Sequence, residues 1–221
     1  MIQQKLLPFI ISICLFGPAV AQAQKTKPKD AKNSSTGKKT PFEDPAYRQY
    51  GIYAKSAPRP EPKAPVDTAL PLQIQHGARI SLIGNMLLER SQYFGYLETI
   101  LQQEHAGKRI TVRNLGWPGD TPDTQPRPDN FADTDQHLTH EKADIVIAAF
   151  GFNESFKGKA GVVQFQQSLS SYVSGLKTKA FNGKTPPQVV LLSPIANENV
   201  DGVKAADQNN DNLKLLSLIH I

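Results

Sequence analysis

The sequence predicts an α/β fold of three layers, in which a parallel sheet is covered by helices on both faces. Four short, largely apolar runs predict its strands: residues 80–83, 110–113, 144–150 and 189–193. Segments with helical periodicity separate them. The third run is almost free of polar residues, which is typical of a strand covered on both faces. Strands that alternate with helices favour parallel pairing through right-handed crossovers.

The connecting segments carry the predicted helices. Gly84 ends the first strand, and a helix follows over residues 86–104. Its apolar face consists of Tyr93, Leu97, Ile100 and Leu101. A short helix is predicted at residues 131–140 and a longer one, with an apolar stripe, at 161–179. A last helix opens at residue 209.

The N-terminus has the layout of a cleavable secretory signal. Lys5 precedes an apolar run at residues 6–16, and an Ala-Gln-Ala sequence ends at Ala23. Residues 1–23 are therefore predicted to be a signal peptide that is cut after Ala23. The apolar run is too short to span a bilayer, so no stable membrane anchor is expected. The protein is predicted to be periplasmic or secreted.

Cysteine usage narrows the possible chemistry. Cys14 is the only cysteine, and it lies inside the predicted signal. The mature chain is therefore expected to have none, which agrees with export without disulfides. Cysteine catalysis and thiolate metal sites are excluded.

Residues 24–71 are predicted to be a disordered, basic, proline-rich linker. Eight of the 17 prolines lie there, with ten lysine or arginine residues against five acidic ones. Such a composition buries too little apolar surface to fold. Aromatic residues offer an alternative in which the linker docks on the domain; these are Phe42, Tyr47, Tyr50 and Tyr53. Because the linker accounts for most of the net charge of +5, no nucleic-acid partner is expected.

The folded domain is predicted over residues 72–216 and is expected to be truncated at its C-terminus. The closing Leu-Ser-Leu-Ile-His-Ile sequence resembles the translation of a sequencing adapter. Residues 217–221 are therefore interpreted as a probable artefact. No oligomeric state is indicated.

Each of the first three predicted strands ends in a turn that contains glycine and, in most cases, asparagine. The turns read Gly84-Asn85-Met86, Gly116-Trp117-Pro118-Gly119 and Gly151-Phe152-Asn153-Glu154. The carboxyl ends of parallel strands share one edge of a sheet, where open α/β folds bind ligands. The three turns are therefore predicted to converge on one site.

The order of these turns resembles that of the SGNH (GDSL-type) hydrolases, over residues 79–212. It looks closest to a branch from planctomycete-like bacteria in which the first turn often reads Gly-Asn-Thr. The resemblance implies a flavodoxin-like three-layer fold, the SGNH hydrolase fold, here incomplete at the C-terminus. It also implies hydrolysis of ester or acetyl groups on lipids or polysaccharides. The expected partner is thus a small-molecule or polysaccharide ester, and neither a cofactor nor a metal is implied.

By motif match, the resemblance assigns two residues to an oxyanion hole. Gly119 would supply a backbone N–H and Asn153 a side-chain amide; the loss of one such donor typically costs about 2.7–4 kcal/mol of barrier. The residues themselves leave alternatives open. Gly119 suits a Pro-Gly turn, and Asn153 could cap the segment that follows. Asn114 and Asp120 are interpreted as Asx-type hydrogen bonders that fasten the second turn.

The nucleophile position departs from the family pattern. Gly-Asp-Ser becomes Gly84-Asn85-Met86, and a thioether cannot form the ester intermediate that an activated hydroxyl forms. Neither Ser81, within the strand, nor Ser91, inside the helix, replaces it. The family's Asp-x-x-His motif follows a fifth strand, which the expected truncation leaves out, so the departure from the pattern rests on Met86. A catalytically silent relative that binds a ligand such as a carbohydrate is therefore the alternative hypothesis. A nucleotide-binding domain is disfavoured, because the glycine-rich phosphate motifs are missing.

Two weaker groups complete the candidates. Acidic and histidine residues gather in the long connection: Asp133, Asp135, His137, His140 and Glu141. They could bind a metal, but a solvated helix is the favoured interpretation. Trp117 and Arg127 could line the rim of a substrate site.

Overall fold

The computed structural model describes residues 52–68 and 70–220. The predicted signal peptide, 1–23, and the first part of the predicted linker, 24–51, lie outside the described residues. Within the described ranges, no helix is both long and apolar enough to cross a bilayer.

The strands of the described chain form two sheets. They are β1 (Glu61–Pro62), β2 (Arg79–Gly84), β3 (Thr111–Asn114), β4 (Ile145–Ala149), β5 (Lys179–Ala180) and β6 (Gln188–Leu192). Four of them form a sheet in the order β3-β2-β4-β6, in which every pair is parallel. β1 and β5 form a separate antiparallel ladder. This order is that of flavodoxin-like sheets, and the predicted parallel α/β fold is confirmed.

Helices cover both faces of the four-stranded sheet. They are α1 (Met86–Ser91), α2 (Tyr96–Glu104), α3 (Thr134–Glu141), α4 (Phe152–Ser155), α5 (Val162–Leu176) and α6 (Ala205–Ser217). Ile80 and Leu82 of β2 pack in one apolar cluster with side chains of α1 and α2. Ile83 packs in a second cluster with side chains of α3, α5 and α6. Because successive strand residues point to opposite faces, the sheet is the middle of three layers.

The first predicted helix is two helices. Gly95 separates α1 from α2 and has a φ of 65°. Glycine adopts this left-handed conformation without the steric cost of a Cβ, so the chain can turn between the two helices. The prediction of one continuous apolar face was therefore wrong. Leu97 and Leu101 pack on the core, whereas Tyr93 and Ile100 are exposed.

The last part of the predicted linker lies against the domain. Tyr53 forms an isolated β-bridge with Phe131. The buried side-chain amide of Gln136 donates to the carbonyl oxygens of Ala54 and Ala57, at 2.9 and 3.0 Å. The domain's contacts thus begin upstream of the boundary predicted at residue 72, because backbone groups of this segment satisfy a buried amide.

The C-terminal helix starts earlier than predicted. α6 begins at Ala205 rather than at residue 209, and it buries Leu213 and Leu216 against the core. Ser217 belongs to α6, and Leu218–His220 form a short 3-10 helix. That residues 217–221 are an artefact stays a prediction.

Candidate active site

The three predicted turns meet at the carboxyl edge of the sheet. The backbone N–H of Trp117 donates to the carbonyl oxygen of Gly84 at 2.8 Å. The N–H of Asn85 donates to the carbonyl oxygen of Ala149 at 3.1 Å. The side chain of Asn153 contacts the second turn. The predicted convergence is therefore present, and it is held by main-chain hydrogen bonds together with the side chain of Asn153.

The first turn depends on close approach of two backbones. Gly84 has a φ of 127°, and a Cβ at this position would overlap the carbonyl group of Ala149. Asn85 then begins α1 as its N-cap, is only 1% exposed, and makes no side-chain capping hydrogen bond. Its Nδ2 has no hydrogen-bond partner among the described residues. A buried amide donor without a partner is costly unless a ligand or water satisfies it.

Met86 lines a cavity of about 280 Å³ at this edge. The apolar part of its wall includes Leu87, Phe150, Phe152, Pro194 and Ile195, which come from α1, from the start of α4 and from the ends of β4 and β6. Asn85 and Arg90 are among its few polar residues. None of the residues that line it carries a hydroxyl group. The cavity can hold an apolar group but offers it no oxygen nucleophile.

Asn114 fastens the second turn, as predicted. Its Oδ1 accepts a hydrogen bond from the backbone N–H of Gly116 at 2.9 Å. Its Nδ2 donates to the carbonyl oxygen of Leu88. Gly116 must be small, because a Cβ there would lie 2.7 Å from the backbone nitrogen of Glu89. One asparagine therefore ties the turn after β3 to α1.

Asp120 does not act as the predicted Asx-type residue. Its two carboxylate oxygens accept hydrogen bonds from Nη1 and Nη2 of Arg127 at 2.6 and 2.7 Å. Both side chains are nearly buried, and the Arg127 guanidinium also lies 4.7 Å from the ring centre of Trp117. This bidentate pair closes the loop between the second turn and α3.

Gly119 and Asn153 are neighbours, but Asn153 is already engaged. Its Nδ2 donates to the carbonyl oxygens of Pro118 and Asp120, at 3.0 and 3.2 Å, and so holds the loop on either side of Gly119. Asn153 is not a cap either, since Gly151 is the N-cap of α4. The oxyanion roles of Gly119 and Asn153 stay predictions; a ligand oxygen would have to displace one of these carbonyl groups.

Glu154 is a functional candidate that the sequence did not single out. It is 7% exposed and lines a second cavity, of about 200 Å³, together with Gly119. Its Oε2 accepts a hydrogen bond from the N–H of Gly151 at 2.9 Å. Its Oε1 has no hydrogen-bond partner among the described residues. Burial raises the pKa of the Glu154 carboxyl, because the charged form loses its hydration.

Replacement of Glu154 by glutamine is expected to raise the free energy of unfolding at pH 7 but not at pH 4. A raised pKa means that the folded state favours the neutral acid. The contribution of the Glu154 carboxyl to the free energy of unfolding is therefore complete below its usual pKa of 4.5 and is lost as the pH rises through the higher pKa of the folded state. Urea denaturation at both pH values measures the difference. Glu198→Gln, at an exposed position, is the control. A loss of stability at pH 7 would show that the Gly151 hydrogen bond to a charged carboxylate outweighs its burial.

The acidic and histidine residues of the long connection do not form one cluster. Asp133 caps α3, Asp135 pairs with Lys179 at 2.6 Å, and Glu141 pairs with Arg79. His137 instead packs against an aromatic ring. Over residues 52–68 and 70–220, no group of three or more His, Cys, Asp or Glu side chains is placed to hold a metal ion.

Sequence reasoning missed most of the cavity wall. Phe152 belongs to a predicted turn, but the sequence does not indicate that its ring faces Met86. Pro194 and Ile195 follow β6, and their part in the site depends on β6 lying beside β4. The available signal was the strand order, because the ends of adjacent parallel strands share an edge.

Known proteins resemble this chain only distantly. No protein-family model and no curated protein sequence matches it. It is similar to a solved acetyl xylan esterase from Geobacillus stearothermophilus at 16% identity, over 66% of this chain and 73% of that one, with a TM-score of 0.42. It is similar to the solved protein TesA at 20% identity, over 64% of this chain and 69% of that one, with a TM-score of 0.42. It is also similar to the psychrotrophic esterase EstA from Pseudoalteromonas sp. at 18% identity, over 63% of this chain and 72% of that one, with a TM-score of 0.41. These similarities do not support the planctomycete-like branch.

Proposed function

We propose that this domain is an ester-hydrolase-type scaffold that binds a small-molecule or polysaccharide ester and does not hydrolyse it through a serine-type mechanism. One observation carries the proposal: Met86 follows β2 and lines the cavity at the edge where the resembling hydrolases place their serine. A thioether packs well against an acyl group. It cannot, however, form an acyl-enzyme.

The wall of the cavity supports a ligand with an apolar part and a polar edge. Most lining side chains are apolar, such as Leu87 and Ile195, and they favour an acyl or acetyl group. Arg90 and Asn85 lie in the same wall and can meet the oxygen atoms of an ester. Such a mixture of apolar walls and a few polar groups is typical of small-molecule sites.

Hydrolysis by a water molecule, rather than by residue 86, is the second candidate function. The partnerless Nδ2 of Asn85 favours it, because this buried donor lies beside Met86 and could stabilise an oxyanion. The two candidates share the ligand class and differ in whether the bound ester is cleaved.

Binding without turnover of p-nitrophenyl acetate is the expected result. Met86 and Met1 are the only methionines, so a 13C-methyl label on methionine reports on this cavity. The Met86 methyl resonance should shift saturably with ester, while nitrophenolate release stays equal to that of Met86→Leu, a variant of similar volume. Rapid turnover that Asn153→Ala abolishes, with Met86 unaltered, would contradict the silent scaffold, and its loss in Asn85→Ala would favour the second candidate. An unshifted resonance would contradict ester binding.

We also propose that the protein is exported and cut after Ala23. The basic residue, the apolar run and the Ala-Gln-Ala sequence support this. Expression of the full chain in a bacterial host with Sec export, followed by fractionation and N-terminal sequencing, tests it. The expected mature chain begins at Gln24 and is found outside the cytoplasm. An intact N-terminus in the cytoplasmic fraction would contradict export.

A further inference from the structure

An aromatic-walled pocket borders the second turn through Gly116 and Trp117. It has a volume of about 210 Å³, and its wall includes Trp117, Phe131, His137, Arg127 and Thr134. It shares no lining residue with the Met86 cavity. Nothing in the proposed ester site requires these aromatic rings, so they call for a separate explanation.

The rings of this pocket form a partly open wall. The ring centres of Trp117 and Phe131 are 5.7 Å apart in an edge-on arrangement, and those of Phe131 and His137 are 5.3 Å apart. Trp117 is 37% exposed and Phe131 is 38% exposed. Neighbouring apolar side chains that are exposed as one patch can mark a ligand site.

A buried ion pair packs against the ring of Trp117. Arg127 lies 4.7 Å from the centre of its ring, and the guanidinium is itself held by both oxygens of Asp120. A preorganised ring loses little conformational entropy on binding. Because Asp120 also neutralises Arg127, the wall presents no unpaired cation that would select a phosphate or a carboxylate.

His137 lies in the wall of this pocket. Its Nε2 is buried and has no hydrogen-bond partner among the described residues. Burial, and then the charge of Arg127, lowers the pKa of the imidazole, so the neutral ring is favoured near pH 7. A neutral imidazole nitrogen can accept a hydrogen bond from, or donate one to, a hydroxyl group.

We propose that this pocket binds a neutral pyranose ring of a carbohydrate. The C–H face of such a sugar can pack on the rings of Trp117 and Phe131, while a hydroxyl at its edge can hydrogen-bond to His137. The pocket thus offers what an amphipathic, uncharged ring needs, whereas an anionic ligand would find no free positive charge. The inference stands on these residues and does not depend on ester binding at Met86.

The protein has a built-in reporter for this test, because Trp117 is its only tryptophan. Titration of the intact protein with cellotetraose, xylotetraose and chitotetraose should change the Trp117 fluorescence saturably for at least one of them. Phe131→Ala should weaken that binding by at least about fivefold, as expected for loss of one stacking partner. Phe94→Ala, which removes a more exposed ring elsewhere (67% against 38% for Phe131), should leave the affinity unchanged.

A second pair of variants tests the polar contact. His137→Ala should weaken binding, and His137→Gln should restore part of it, because an amide can still hydrogen-bond to a hydroxyl. Circular dichroism confirms that each variant is folded. The proposal is overturned if none of the three sugars binds, or if neither Phe131→Ala nor His137→Ala changes the affinity. Tighter binding of a flat aryl amide such as benzamide than of any sugar would also overturn it, in favour of an aromatic ligand.

Discussion

Replacement of Gly84 by alanine is expected to destabilise the protein by at least about 4 kcal/mol, in the range reserved for severe core disruption. At a φ of 127° an L side chain is strained, and the added Cβ would overlap the carbonyl oxygen of Ala149 and lie 2.8 Å from its carbonyl carbon. These atoms belong to β4, the strand paired to β2, so they cannot move without breaking the middle of the sheet. Urea denaturation followed by circular dichroism measures the effect.

Gly77→Ala is the control that separates the cost of a positive φ from the cost of a steric overlap with the neighbouring strand. Gly77 also has a positive φ, of 75°, but a Cβ there meets nothing within 4 Å. Its replacement should cost only about 1–2 kcal/mol, the usual penalty of a left-handed backbone. If the two variants are equally stable, then β2 and β4 can separate slightly at this point, and the close approach of the two strands is not what requires glycine at residue 84.

The sheet was predictable because burial on both faces leaves a direct trace in the sequence. The residues of β4 are all buried, and this shows as an apolar run without alternation. The break between α1 and α2 was not predictable from periodicity, since Leu97 and Leu101 keep a helical spacing on either interpretation. Only the backbone conformation of Gly95 decides it, and a glycine within a helical pattern is often tolerated.

The site was predictable in position but not in detail. Parallel strands bring the three turns together whatever their side chains do. The use that Asn153 makes of its amide depends instead on where the carbonyl groups of Pro118 and Asp120 point, which is a property of the loop conformation. The pairing of Asp120 with Arg127 likewise crosses an irregular loop, where no periodicity links the two residues.

Residues of the predicted linker show what composition alone cannot predict. Composition indicated that this segment could not build a core of its own, yet its described part, from residue 52 on, contacts the domain, in part through its backbone. The carbonyl oxygens of Ala54 and Ala57 satisfy the amide of Gln136, and any residue type could supply these groups. A composition argument weighs side chains, so it cannot detect docking of this kind.

Asp120→Ala is expected to destabilise the protein by about 3–5 kcal/mol, because it leaves the buried guanidinium of Arg127 without its counter-ion. The pair is 11% and 3% exposed, so water cannot easily replace the lost carboxylate. The matched control is Asp135→Ala, which breaks the more exposed pair with Lys179 and should cost about 0–1 kcal/mol. Urea denaturation of both variants measures the two costs.

The double variant Asp120→Ala/Arg127→Ala decides whether the buried charge is the cause. If the cost of Asp120→Ala comes from an unpaired cation, removal of Arg127 as well should recover part of the stability, so the two effects will not add. The fluorescence of Trp117 should also change in Asp120→Ala, because the guanidinium that rests on its ring is no longer held. Additive costs, with the fluorescence unchanged, would mean that the loop is held mainly by Asn153 and by its own backbone hydrogen bonds. We expect partial recovery of stability in the double variant, because Arg127 is nearly buried. The ion pair then also positions the Trp117 ring in the wall of the proposed sugar pocket.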